Sequence, residues 1–164
     1  MDITELEIEA TETELIRFDH RDAWDLGVAL RNAAADAALG VAIDIRRAGG
    51  AILFRASLPG ATIDSEDWIL RKSAVAFRFE ESSALVTARM SALGVPAGST
   101  GWLDPMQYTL AGGAVPIKVA GAGLVAVATV SARPRSRSTL LSWRSFGSSR
   151  LPSRLIQRCR PRDP

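Results

Sequence analysis

Apolar and polar positions recur with periods that divide the first 131 residues into short segments. Residues 2–11 mix the two kinds and read as a short helix. Glu14–Phe18 (ELIRF) reads as a short strand. Asp19 has the character of an N-cap, with Asp22 three places on and Trp24, Leu26, Ala29 and Leu30 following at helical spacing. That helix is expected to reach about Leu39 and stop at Gly40. Val41, Ile43 and Ile45 then alternate with Ala42 and Asp44 as in a strand. The Gly49-Gly50 turn should return Ala51–Ala56 antiparallel to it, and Pro59-Gly60 closes the pair. Asp64 is expected to cap a long helix through Trp68, Leu70, Val75 and Phe79, continuing brokenly to Met90. Residues 94–101 read as a loop, and Asp104-Pro105 as the start of a short helix. Ala114–Val119 and Leu124–Ser131 form a hairpin across Gly121-Ala122-Gly123.

This order gives an α+β domain with a five-stranded, mainly antiparallel sheet and helices on its faces. A final helix is due next, where the periodicity breaks. No internal repeat is visible.

At 164 residues the chain suits one domain, and 47% apolar with 23% charged residues suits a folded one. Alanine supplies 26 of the apolar residues, so small side chains on helices should build much of the core. No uninterrupted apolar run of eighteen residues occurs, and no membrane span is expected. The acidic opening MDITELEIEATETE lacks a secretion pattern, so a cytoplasmic location is expected. A single Cys excludes an internal disulfide and a Cys-cluster metal site.

Charge divides the chain. Residues 1–130 carry 11 Lys/Arg against 17 Asp/Glu, a net of −6; residues 131–164 carry nine Arg and one Asp, a net of +8. Arg, Ser and Pro fill 21 of the last 34 positions, so 132–164 reads as an atypical tail, disordered or loosely docked, beside a domain at 1–131. Such a tail can bind nucleic acid through phosphate contacts. A shifted reading frame is the competing account, because misread GC-rich genes yield these residues. One codon choice for STLLSWRSFG (138–147) reads, one base earlier, as Glu-His-Ala-Leu-Val-Val-Glu-Val-Val-Arg, an amphipathic helix pattern.

Catalytic signatures are few. The single His20 stands at a helix start and reads as exposed; Cys159 lies in the tail. The Gly pairs at 49–50 and 112–113 match no phosphate loop, and Ser57, Ser82 and Ser83 have no recognisable base. No catalytic residue and no metal site are assigned. The segment DSEDWILRK (64–72) is the richest: Asp64, Trp68 and Lys72 fall at i, i+4 and i+8, with Arg71 beside them. An aromatic with two cations can hold a carboxylate or propionate. Against this stands a salt-bridged helix face, with Asp67–Arg71 at i, i+4 and Trp68 at a subunit contact. Asp104 with Tyr108 reads as a cap and a half-buried phenol, or as the polar rim of a pocket.

AWDLG (23–27), VAIDIRRAGG (41–50), LFRASLPG (53–60), DSEDWILRK (64–72), ESS (81–83), LD (103–104), Tyr108, GG-x-x-PI (112–117) and GAGLVAVATVS (121–131) occur in a distinctive order. On these residues the chain resembles an uncharacterised-protein family related to the heme-degrading domain, the GlcG/HbpS-like group. The resemblance implies a profilin/PAS-like α-β-α sandwich, commonly a homo-oligomer, some of whose relatives bind or degrade heme. It maps the W-x-x-RK unit to Trp68, Arg71 and Lys72 and the LPG turn to Leu58–Gly60. A His frequent in the family before the Gly pair is Ala111 here, which weakens heme ligation. Ala126 stands for a family Gly, and the exit becomes Ser131-Ala132-Arg133-Pro134. The family continues into an Asp/Glu-His-x-Leu-Val-Val helix, which the alternative-frame string matches, so a frame shift is the preferred reading of the tail.

The expected protein is an oligomeric binder of heme or another small anionic ligand. Trp68, Arg71 and Lys72 are the leading contacts, with Asp64 and Tyr108 behind them. Two alternatives stand beside it. One is a structural or interaction protein using the helix 64–90 surface. The other is a nucleic-acid binder, if the Arg-rich tail is native.

Overall fold

The computed structural model describes residues 3–11 and 14–132. In chain order these form α1 (Ile3–Thr11), β1 (Glu14–Leu15), α2 (His20–Asp36), β2 (Val41–Arg46), β3 (Ile52–Ser57), α3 (Ile63–Phe79), α4 (Ser83–Ala92), β4 (Ala114–Val119) and β5 (Gly123–Ala132). The expected final helix and the Arg-rich segment lie outside the described residues, as does Cys159. The five strands form one sheet in the order β1-β4-β5-β2-β3. Every pairing is antiparallel except β1 with β4, which is parallel.

Local chemistry sets the helix ends. The Asp19 carboxylate accepts the N–H groups of Arg21 and Asp22 at 2.8 and 3.0 Å, and Asp22 answers by accepting the Asp19 N–H at 3.1 Å. This reciprocal box starts α2 where the sequence predicts. The backbone N–H of Asp22, foremost among several contacts, holds the Asp19 carboxyl below its usual pKa. The helix stops earlier than expected, at Asp36, because Ala38 takes a left-handed conformation with φ 50°. Gly40 serves close packing instead: a Cβ there would come 2.9 Å from the Gly60 carbonyl carbon. The Leu58-Pro59-Gly60 turn thus lies directly on the chain at Gly40, and the Leu58 N–H donates to the Val41 carbonyl at 2.9 Å.

Two expectations about helix starts are corrected. Thr62, and not Asp64, caps α3; its N–H donates to the Ser65 hydroxyl at 3.3 Å, leaving Asp64 in the first turn. Residues 104–107 form a turn in place of a helix. There the Asp104 carboxylate accepts the Met106 N–H and the Gln107 amide, both at 2.9 Å, and closes the turn on itself. The long helix divides at Glu80, which is left-handed at φ 53°; α4 restarts with the Ser82 hydroxyl accepting the Leu85 N–H at 3.2 Å. Arg89 of α4 bridges Glu7 of α1 and Glu81, tying the first helix down.

Strand alternation gives the sheet two unlike faces. On one, Val41, Ile43, Ile45, Phe54, Ile117 and Ala128 pack with Leu26 and Ala34 of α2. On the other, under α3, stand Asp44, Thr129 and Ser131, all buried, with a small apolar cluster of Ala76, Ala114 and Val127 at one end. Trp24 meets Phe54 edge-on, ring centroids 5.6 Å apart. A Cβ on Gly27 would come 2.2–2.4 Å from three ring carbons of Phe54. Gly27→Ala should therefore cost about 1–3 kcal/mol through overpacking. Urea midpoints check this, and adding Phe54→Leu should recover part of the loss.

Candidate functional site

The polar face under α3 centres on Asp44, which is fully buried in the middle of β2. Arg46 grips its carboxylate with Nε and with Nη2 at 2.9 Å, and Arg55 of β3 donates Nε at 3.0 Å. Arg55 also reaches Glu66 in the first turn of α3 at 3.6 Å, where the Ser57 hydroxyl donates at 3.1 Å. Further along, the Ser73 hydroxyl donates to the Ile69 carbonyl at 2.7 Å and meets the Thr129 hydroxyl at 2.9 Å, both groups buried. A buried carboxylate held by two guanidinium groups is charge-compensated. The arrangement anchors α3 by its first turn.

That anchoring separates the residues that the sequence places together. Residues four apart on a helix precess by about 40°, so two such steps carry a side chain about 80° around the axis. Asp64 stays exposed, Trp68 is half-buried at the helix edge, and Lys72 turns under the helix, 4% exposed. Its Nζ donates to the Val130 carbonyl of β5 at 3.5 Å. Burial pushes the Lys72 ammonium pKa down to about 8. Arg71 is half-buried, its guanidinium carbon 4.9 Å from the centroid of the Trp68 ring. The expected Asp67–Arg71 ion pair does not form; the guanidinium lies on the indole. Trp68 and Arg71 are brought together, and Lys72 and Asp64 are not.

Tyr108 belongs to a different cluster. Arg78, in the last turn of α3, lies 4.8 Å from the Trp102 ring and 5.2 Å from the Tyr108 ring, and its Nη1 donates to the Tyr108 hydroxyl at 3.1 Å. Phe79 meets Trp102 edge-on at 6.4 Å. Sequence reasoning missed Arg78 and Trp102. Arg78 had a legible signal, seven residues after Arg71 and so on the same side of the helix. Asp44 and Arg46 were also legible, since i and i+2 share a strand face.

The three serines are structural. Ser57 bonds Glu66, Ser82 caps α4, and the Ser83 hydroxyl accepts the Ala114 N–H at 3.0 Å. His20 is exposed at the start of α2. Among the described residues no group of three or more His, Cys, Asp or Glu is placed to hold a metal ion.

Residues 18–138 match the family model described as haem degrading protein HbpS-like. The chain belongs to the HbpS-like family. A UPF0303 protein of Streptomyces avermitilis is 44% identical over 133 residues, 81% of each chain. One of Streptomyces coelicolor is 42% identical, covering 80% of this chain and 84% of its own. Among solved structures, Ybr137w superposes with a TM-score of 0.73 at 28% identity, over 96% of this chain and 88% of its own. The PduOC:heme complex gives a TM-score of 0.62 at 14% identity, over 82% and 92%, and shares the fold. Several motif residues of this HbpS-like chain have packing explanations: Gly27 makes room for Phe54, and Gly40 and Gly60 touch. No helix among the described residues is long and apolar enough to cross a membrane.

Lys72 makes stability depend on pH. The unfolded amine titrates near 10.5 and the folded one near 8, so below pH 8 both states are charged and the penalty of burial is fully present. Between pH 8 and 10.5 the unfolded state binds more protons, and stability should rise with pH by up to about 3 kcal/mol. Lys72→Met should flatten this dependence and raise stability at pH 7, as urea unfolding at pH 7 and pH 10 would show.

Proposed function

We propose that this protein binds a small organic anion at the edge of α3, through Trp68 and Arg71. The observation that supports this is the arginine–indole stack. The guanidinium lies 4.9 Å over the ring and, among the described residues, has no carboxylate within ion-pair distance. Such a pair offers an apolar platform beside a fork of N–H donors, which suits a planar ligand bearing a carboxylate. Membership in the HbpS-like family and a neighbour bound to heme make a tetrapyrrole carboxylate a natural member of that class.

Heme iron itself fits these residues poorly. Iron takes an axial donor such as imidazole, thiolate or thioether. His20 is on α2, which packs on the opposite face of the sheet from α3, and the other described candidate donors, Met90, Met106 and Tyr108, lie on α4 and in the loop after it, with Tyr108 held by Arg78. The pair suits the propionate edge of a porphyrin and leaves its metal without a ligand from this site. Titration with hemin and with metal-free protoporphyrin tests this reading. Both should saturate, and Arg71→Ala should weaken both about tenfold, as loss of a charge-assisted bond does. Equal affinity in Arg71→Ala would overturn it.

A second reading, an interaction protein acting through its oligomer surface, draws support from Ile63 and Leu70. They stand seven residues apart on α3, 83% and 48% exposed. If that surface joins copies of the chain, the double substitution Ile63→Ser with Leu70→Ser should lower the mass measured by light scattering. An unchanged mass removes the reading.

A further inference from the structure

Among the described residues, Arg78 is a surface cation without a counter-ion. It lies two helical turns beyond Arg71, about 10.5 Å along the axis of α3. Its partners are two ring faces and a phenol, and no described carboxylate is within ion-pair distance. Among the described residues exposed Glu80, two places on, forms no ion pair with Arg78, and the other acidic residues nearby are committed elsewhere. Glu81 holds Arg89, and Asp104 accepts from the Met106 N–H and the Gln107 amide of its own turn. Trp102 keeps 65% of its surface exposed although Phe79 and Arg78 both touch it. A latch for the 94–113 loop would need neither a guanidinium nor an open indole; an apolar side chain would serve it at lower cost in desolvation.

We infer that Arg78, Trp102 and Tyr108 form an anion site separate from the Trp68–Arg71 pair, selective for small aromatic carboxylates. Stacking and the phenol contact fix the plane of the guanidinium. A carboxylate can then take two parallel N–H···O bonds from its edge. The aromatic body of the ligand covers the exposed indole in an offset stack. Tyr108 orients Arg78 and does not itself supply the charge. An inorganic anion gains the fork and not the stack, and a neutral aromatic gains the stack and not the fork.

Calorimetric titration of the whole chain with 2-naphthoate tests the site, with 2-naphthylmethanol and inorganic phosphate as comparison probes. Naphthoate should bind saturably and at least tenfold more tightly than either probe. Arg78→Gln should weaken it at least tenfold, and Tyr108→Phe severalfold. Arg47→Gln, an exposed arginine outside both clusters, should leave it unchanged. Circular dichroism checks that Arg78→Gln folds. If it does not, Arg78→Lys, which keeps the charge and loses the fork, should fold and bind about tenfold more weakly. The site is overturned if naphthoate fails to saturate, if phosphate binds as well, or if the folded Arg78 variant binds like the parent chain. Loss in Arg71→Ala with retention in Arg78→Gln would overturn it too, by assigning the ligand to the Trp68–Arg71 pair. Hemin binding is a separate readout, so either site can fail alone.

Discussion

A carboxylate buried between two guanidinium groups governs how this domain is assembled. Asp44 lies on β2, between β5 and β3, and strand alternation directs it away from the apolar face formed by Ile43 and Ile45. An isolated charge there would be prohibitively costly, and Arg46 and Arg55 remove that cost by converging from the same strand and its neighbour. Arg55 then makes a second contact, with Glu66 in the first turn of α3, where Ser57 also donates. Ile69, Ser73 and Ala76 face the sheet, and Trp68, Arg71 and Arg78 are left along the rim. The rim residues share their orientation because Ile69, Val75 and Ala76 are buried on the other side of the helix, with the Arg55–Glu66 contact adding to it at the first turn.

The other face is organised by size. Alanines and Gly27 on α2 let the helix approach Phe54 and the central strands closely, and the Gly40–Gly60 contact does the same for the turn after β3. Close approach has strict steric consequences, because packed interiors do not absorb an added methyl freely. This accounts for residues such as AWDLG and LPG that carry the family resemblance without carrying chemistry. The apolar face packs α2 on the sheet, and on the other face α3 is held by buried Ile69, Val75 and Ala76, the Ser73–Thr129 contact and the Arg55–Glu66 pair.

Much of this was legible in the sequence. The alternation at 41–45, the Gly49-Gly50 turn and the Asp19/Asp22 box each depend on neighbours within a few residues, and each predicts its element. The misreadings share a cause. Asp64 is chemically as good a cap as Thr62, but the backbone leaves its extended conformation at Thr62, whose N–H the Ser65 hydroxyl accepts, so Asp64 falls in the first turn. Lys72 follows Asp64 by eight residues, close enough to look coplanar and far enough to rotate beneath the helix. The Arg78–Tyr108 contact spans thirty residues and depends on the 94–107 loop returning across α3, which no local period encodes.

The charge balance bears on what the arginine clusters can recognise. Residues 1–130 carry a net charge of −6 and the full chain +2, so long-range attraction of anions by the field of this domain is weak. At physiological salt that field decays over about 8 Å, so an arginine freed of carboxylate partners still dominates its own few ångströms. Recognition must then come from contact geometry rather than from steering. The nucleic-acid reading rests on the Arg-rich segment, which lies outside the described residues. A compact planar acid meets one fork and one ring, which is what Arg71 with Trp68, and Arg78 with Trp102, each present. On the proposed reading, the pairing of Arg71 with Trp68 and of Arg78 with Trp102 would act as a filter, favouring ligands that bring an aromatic plane along with their charge.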